Sequence, residues 1–150
     1  MNTTTQPFRV LFLCTHNSAR SILSEALLNH LGKGRFQAFS AGSSPRENQK
    51  PNSLALEVLK QAGVSIEGLY SKSWDEFAKP DSPSMDFVIT VCDNAAGEVC
   101  PYWPGQPAKE HWGYADPSEV KGDDEKKREA FVNTMHLISK RLEIFIGQHE

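Results

Sequence analysis

Apolar and polar positions along this chain fall into blocks whose period changes from one block to the next. Val10-Leu11-Phe12-Leu13 is a short unbroken apolar run, the pattern of a strand buried on both faces of a parallel sheet. The following block sets Ile22, Leu23, Ala26, Leu27 and Leu31 on one face at helical spacing, with Gly32 and Gly34 placed to end it. Phe36-Gln37-Ala38-Phe39-Ser40 alternates and reads as a second strand. Ser43 to Pro51 is crowded with turn formers, and beyond it Leu54, Leu56, Val58, Leu59 and Ala62 carry a helix that stops at Gly63. Ser73 to Phe77 opens a short helix cut off by Pro80. Phe87-Val88-Ile89-Thr90-Val91, apolar and β-branched, is the clearest strand. Three prolines and two glycines within residues 93–110 predict a long irregular loop, and His111-Trp112-Gly113-Tyr114 reads as a last short strand. From Asp123 onward Phe131, Met135, Ile138, Leu142 and Phe145 recur at helical spacing, a terminal amphipathic helix. Strands alternating with helices predict an α/β fold layered around a small parallel sheet. Ligand sites in such folds lie beyond the carboxyl ends of the strands.

Composition narrows the class. A chain of 150 residues suits one domain with its own core, here spanning residues 1–150 with 1–7 expected to be loose. Charged residues at 23%, hydrophobic residues at 39% and a formal net charge of −3 give no support to binding nucleic acid or a membrane. The basic run Lys126-Lys127-Arg128 sits among Asp123, Asp124, Glu125 and Glu129 and reads as a solvated helix face. Met1 to Arg9 lacks a charged-then-apolar signal pattern and no segment is apolar for long enough to span a bilayer, so a cytoplasmic protein is expected. Three cysteines in a reducing compartment argue for thiol chemistry over a structural disulfide framework.

The chemistry concentrates in Cys14-Thr15-His16-Asn17-Ser18-Ala19-Arg20-Ser21. Cys14 ends the first strand, and the loop after it feeds a helix N-terminus. Unpaired N–H groups and the helix dipole there form a seat for an anion. The same field lowers a thiol's pKa, so Cys14 is expected to be a thiolate near neutral pH. Arg20 can grip a tetrahedral oxyanion through two parallel donors. Cys-x5-Arg alone is a chance pattern around a buried cysteine; the strand before it, the helix after it and Ser21 make it a nucleophile with a cradle and a clamp.

Other candidates depend on that one. Cys92 follows its strand as Cys14 follows the first, and Cys100 lies eight residues further on. From spacing alone, a redox pair and two unrelated buried thiols are equally good readings; an activated Cys14 favours the redox reading. The spacing does not suit zinc, and no metal site is expected. Asp116-Pro117 is an ordinary turn by itself, but facing the cradle Asp116 would serve as a general acid. Ser21 can donate to the thiolate, His16 can tune it, Ser18 reads as the helix N-cap and Asn17 as a left-handed loop residue.

These residues resemble the low-molecular-weight tyrosine phosphatase superfamily. Cys14 through Ser21, continuing Ile22-Leu23-Ser24-Glu25-Ala26, is similar to its phosphate-binding loop, and the His-Asn-Ser-Ala-Arg-Ser form is similar to the arsenate reductases within it. Phe39-Ser40-Ala41-Gly42, Val91-Cys92-Asp93-Asn94-Ala95-Ala96, Cys100-Pro101, and His111-Trp112-Gly113 followed by Asp116-Pro117 match that branch, over roughly residues 9–146. The resemblance implies a three-layer α/β/α fold with about four parallel strands. It also implies arsenate as substrate, with phosphate or sulfate as competing oxyanions, held by Thr15, His16, Asn17, Ser18, Ala19, Arg20 and Ser21. Cys14 would attack arsenic, Asp116 would protonate the departing hydroxyl, and disulfides would pass from Cys14–Cys92 to Cys92–Cys100. Thioredoxin, or glutaredoxin with glutathione, would then reduce the last pair. No tightly bound cofactor is implied beyond a potassium ion near Asn17, Ser40 and Glu25, and a monomer is expected. Two departures bear on substrate. The phosphatases carry a tyrosine soon after Asp-Pro and a second cysteine inside the loop, where this chain has Ser118 and Ala19. That counts against the alternative, a tyrosine phosphatase using Cys14, Arg20 and Asp116. A module that merely senses oxyanions would leave the thiols idle.

Overall fold

The computed structural model describes residues 7–45, 47–79, 81–82, 84–91 and 107–149. Four strands form one sheet: β1 (Phe8–Cys14), β2 (Phe36–Gly42), β3 (Phe87–Thr90) and β4 (Ala108–His111). Their order is β2-β1-β3-β4 and every pairing is parallel. Among the described residues three helices, α1 (Arg20–Leu31), α2 (Ser53–Gln61) and α3 (Asp124–Gln148), accompany the sheet, the α/β fold expected from the sequence. Because β2 lies on one side of β1 and β3 on the other, the chain reverses its direction of travel across the sheet at β1. The carboxyl ends of β1 and β3 therefore border a crevice, the usual place for a ligand in an open parallel sheet.

One face of β1 presents Val10, Phe12 and Cys14, and these join buried residues of α1, α2 and α3 in the main core. Helix α1 is buried on most of its circumference, through Ser21, Ile22, Leu23, Ser24, Ala26, Leu27 and Leu28, because it packs on both the sheet and α3. Leu31, assigned by spacing to its inner face, is only partly buried at the helix end. The α3 residues expected to face inward, Phe131, Met135, Ile138, Leu142 and Phe145, all do so. The Phe145 ring lies 5.1 Å from Phe87 and 5.3 Å from Trp112. Arg128 pairs with Glu57, tying α3 to α2. On the opposite sheet face Leu11, Leu13, Ala41 and Val88 meet Phe77 and Met85 beneath a 3-10 turn, Trp74–Phe77. No described helix is long and apolar enough to cross a membrane.

Two sequence expectations shift. The fourth strand is Ala108–His111, not His111–Tyr114; it overlaps the segment expected to be loop. It is an edge strand with all four residues exposed, so it has no apolar pattern to read. Trp112 is buried just beyond it, still hydrogen-bonded to the sheet through its N–H to the Thr90 carbonyl at 2.8 Å. In α2 the inner face is Ala55, Val58 and Leu59, while Ala62 is exposed. Gly63 at φ 78 turns the chain so that Val64 is buried in its place, its N–H reaching the Leu59 carbonyl at 2.9 Å. Residues 92–106, Cys92 and Cys100 among them, lie outside the described residues, as do residues 1–6.

The end of β2 supports the loop that follows β1. A Cβ added to Gly42 would stand 2.7 Å from the Thr15 carbonyl oxygen and 3.0 Å from the Asn17 nitrogen, both backbone atoms. Gly42→Ala is therefore expected to lower stability by about 1–3 kcal/mol by forcing the loop off the sheet. Urea unfolding reads this, and an unchanged midpoint would contradict the close packing.

Candidate active site

Cys14 is the last residue of β1 and is 5% exposed. Five residues intervene before α1 begins at Arg20, so the thiol and the guanidinium flank one tight loop. Its shape is set at Asn17, which takes φ 56, a left-handed conformation that asparagine tolerates better than most residues. Asn17 is fully buried and its amide is saturated. Nδ2 donates to Ser21 Oγ at 2.8 Å and to Ser40 Oγ at 3.0 Å, while Oδ1 accepts the Lys72 backbone N–H at 3.0 Å. The Asn17 carbonyl accepts the Ser71 hydroxyl at 2.5 Å. The loop is also stitched to its neighbours by backbone bonds, from Ser43 N to the Cys14 carbonyl, Ser44 N to Thr15 and Asn52 N to Ser18.

Behind the loop lies a buried charged network. Ser40 Oγ donates to Glu25 Oε1 at 2.5 Å. Lys72 Nζ donates to the carbonyls of Ser40 at 3.0 Å and Tyr70 at 2.8 Å, and stands 3.9 Å from Glu25 Oε1. Burial raises the Glu25 pKa, opposed by the Ser40 hydrogen bond and by Lys72. Burial likewise lowers that of Lys72, opposed by Glu25 and Glu76. Sequence reading reached Asn17, Ser40 and Glu25 but missed Ser71 and Lys72. They arrive from more than 50 residues away, where Ser73 bridges to Gly42 at the end of β2, and no local pattern marks them.

The N-cap of α1 is Ala19, not Ser18 as expected, and it makes no side-chain capping bond. Ser18 instead lines the cavity in front of the loop. A first turn that no side chain caps leaves its N–H groups and the positive end of the helix dipole for an outside anion. The cavity has a volume of about 530 Å³ and is lined by Cys14, Thr15, His16, Ser18, Ala19 and Arg20 from the loop, Gln49, Lys50 and Asn52 from one wall, and Asp116, Ser118 and Glu119 from the other. The structure thus brings Cys14, Arg20 and Asp116 to a single cavity. Asn17 and Ser21 lie behind it as braces, and Ser21 Oγ accepts from Asn17.

Arg20 is held without being used up. Nη1 donates to the Tyr114 carbonyl at 2.8 Å, Nη2 lies 3.6 Å from Asp116 Oδ2, and the buried Nε has no acceptor among the described residues. An oxyanion would supply that acceptor. Asp116 is fixed from its other oxygen: Oδ1 accepts from the Ser118 N–H at 2.9 Å and the Ser118 hydroxyl at 2.7 Å. Ser118 thus fixes the orientation of the Asp116 carboxylate. Among the described residues no three His, Cys, Asp or Glu side chains gather as metal ligands.

The buried Tyr114 hydroxyl has no partner among the described residues, and burial pushes its pKa from 10.0 up to about 12, with Arg141 pulling the other way. The folded protein thus holds a proton that the unfolded chain releases. The associated stability is intact below pH 10.0 and is lost as pH rises towards about 12. Tyr114→Phe is expected to be at least as stable at neutral pH and to lose less stability across that alkaline window. Equal alkaline slopes for both proteins in chemical denaturation would contradict this.

Comparison with known proteins gives a concordant result. The family model described as low molecular weight phosphotyrosine protein phosphatase matches residues 9–149. The chain is 34% identical to an arsenate reductase of Bacillus licheniformis over 138 residues, 91% of this chain and 93% of that protein. It is 32% identical to an arsenate reductase of Bacillus subtilis over 136 residues, with the same coverage of 91% and 93%. Among solved structures, a thioredoxin-dependent arsenate reductase of Corynebacterium glutamicum superposes with a TM-score of 0.66 at 29% identity, covering 99% of this chain and 66% of that one. A low molecular weight protein tyrosine phosphatase from T. tengcongensis superposes with a TM-score of 0.75 at 25% identity, covering 94% and 99%.

Proposed function

Because the chain belongs to the low molecular weight phosphotyrosine protein phosphatase family, we propose that it uses the family's anion cradle to reduce arsenate to arsenite through a relay of its own thiols. The observation that carries this reading is the meeting of Cys14, Arg20 and Asp116 at one cavity, at a helix N-terminus that no side chain caps. The choice of arsenate over a phosphate ester is supported by Cys92 and Cys100, by Ser118 in place of the phosphatases' tyrosine, and by relatives named arsenate reductase that match along nearly their whole length.

Arsenate docks with its oxygens on the loop N–H groups and the Arg20 guanidinium. The Cys14 thiolate forms a sulfur–arsenic bond while one hydroxyl leaves as water, its proton supplied by Asp116. The Cys92 thiolate then attacks Cys14 Sγ. The sulfur–arsenic bond breaks, its electron pair passes to arsenic, and arsenite departs as a Cys14–Cys92 disulfide forms. Cys100 attacks Cys92 Sγ, freeing the Cys14 thiolate and leaving a Cys92–Cys100 disulfide. A dithiol protein of the thioredoxin type reduces that pair, and glutaredoxin with glutathione is the alternative donor. We place the reaction in the cytoplasm, with the protein acting as a monomer. No step is routed through potassium: the oxygens of Ser40 and Glu25 that would attract such an ion already face the Lys72 ammonium.

With thioredoxin, thioredoxin reductase and NADPH present, Cys14→Ser is expected to abolish arsenite production. Cys100→Ser should release one arsenite per chain and stop at a Cys14–Cys92 bridge. Unimpaired multiple turnover by the Cys100 variant would overturn the relay. Hydrolysis of a phosphotyrosine analogue by the wild type, unaffected by loss of Cys92 and Cys100 and without arsenite production, would favour the phosphatase reading.

A further inference from the structure

The two oxygens of the Asp116 carboxylate stand in different surroundings. Oδ1 accepts two hydrogen bonds, from the Ser118 N–H at 2.9 Å and from the Ser118 hydroxyl at 2.7 Å. A carboxylate oxygen has two lone-pair directions, and here both are occupied. Oδ2 accepts no hydrogen bond among the described residues and lies 3.6 Å from Arg20 Nη2, too far for one. The guanidinium is itself tethered, because Nη1 donates to the Tyr114 carbonyl at 2.8 Å. The occupied oxygen is thus tied to the turn Pro117–Glu119, and the free one borders the clamp. The Ser118 hydroxyl is not needed to close that turn. Its backbone N–H already bonds the carboxylate, and the Glu119 N–H reaches the Asp116 carbonyl at 3.2 Å.

We propose that Ser118 is a positioning residue that fixes which oxygen of Asp116 carries the transferable proton, a role that rests on the arsenate-reducing reading above. With both lone pairs of Oδ1 taken, protonation falls on Oδ2. An anion oxygen hydrogen-bonded to Arg20 Nη2 comes within reach of Oδ2, so the proton stands beside the group that must leave. As Cys14 Sγ bonds to arsenic, the departing hydroxyl takes that proton and leaves as water, and Asp116 is left as a carboxylate. The two Ser118 donors favour this ionised form, because hydrogen bonds to a charged group stabilise it. Without the hydroxyl, Oδ1 would keep one donor and one open lone pair. The proton would then be shared between two oxygens, only one of which borders the clamp. The titratable and charged groups around the acid are Cys14, His16, Arg20, Lys50 and Glu119 in the cavity, and Lys127 of α3, which shares a smaller groove with Pro117 and Ser118. All of them are unchanged when Ser118 alone is replaced, so a difference between the two proteins reports on its hydroxyl.

The test follows single-turnover arsenite release at saturating arsenate across pH, in reduced wild type, Ser118→Ala, Ser118→Thr and Asp116→Asn, with phosphate affinity measured by calorimetry. The rate should fall on the alkaline side as Asp116 loses its proton, and Asp116→Asn should lack that limb. Ser118→Ala should move the limb to higher pH by about one unit, the effect of one lost hydrogen bond to a charged group. Its plateau should fall by about threefold to tenfold, a part of what a general acid contributes. Phosphate affinity should stay within about twofold, because the hydroxyl acts through Asp116 and not on the anion. Ser118→Thr, which keeps the hydroxyl, should restore both limb and plateau. An unshifted limb in Ser118→Ala, or a shift that Ser118→Thr does not reverse, would overturn the role of Ser118 while leaving Asp116 as the acid. A limb that persists in Asp116→Asn would overturn both. No arsenite from the wild type at any pH would overturn the arsenate reading itself, and the role of Ser118 with it.

Discussion

A single buried amide sets the geometry on which this site depends. Asn17 stands in a left-handed conformation that costs a non-glycine residue about 1–2 kcal/mol. What holds it there is that its side-chain hydrogen-bonding atoms and its carbonyl find partners on three different segments: Ser21 at the start of α1, Ser40 in β2, and Ser71 and Lys72 in the segment beyond α2. Such an amide has little freedom, because any rotation would strand a buried donor or acceptor. The loop therefore has one shape, and Cys14 and Arg20 at its ends inherit their separation from it. Chemistry that requires a thiolate in line with a tetrahedral centre gains from having this order in place before substrate arrives.

The electrostatics behind and in front of the loop differ in purpose. Behind it, Glu25 and Lys72 oppose each other across 3.9 Å, both disfavoured by burial and both stabilised by the partner. Such a pair adds little net stability, but losing either member leaves an unpaired buried charge. Its positive member gives the Ser40 carbonyl a donor and so helps keep β2 in register with the loop. In front of it the helix end carries no side-chain cap and Arg20 keeps an unsatisfied donor. The balanced side keeps the loop in place, and the unbalanced side leaves room for an anion.

How much of this was legible in the sequence follows from how local each determinant is. Strands β1 and β3 and the helix α3 announce themselves through apolar periodicity, and Cys14 and Arg20 through a short spacing at a strand–helix junction. The left-handed Asn17 is legible because few residue types accept that conformation. Strand β4 is not, since an exposed edge strand such as Ala108-Lys109-Glu110-His111 has no apolar face to give it away. Ser18 looked like a cap because its type favours that position, but the helix begins one residue later at the cost of its cap. Lys72 and the Tyr114 carbonyl were invisible for a third reason: their roles exist only once distant segments are packed around the loop. The cavity is thus written partly in a motif and partly in tertiary contacts that no motif records.

The central claim is that this cradle delivers arsenate to a thiol that is oxidised in the protein's own relay, and a single-turnover experiment tests it most directly. Fully reduced wild-type protein, freed of external thiol, is mixed with arsenate alone. Arsenite release is then followed alongside thiol loss, and the new bridge is mapped by peptide mass. The account predicts close to one arsenite per chain, the loss of two thiols and a Cys92–Cys100 disulfide. No arsenite, with all three thiols intact, would contradict it.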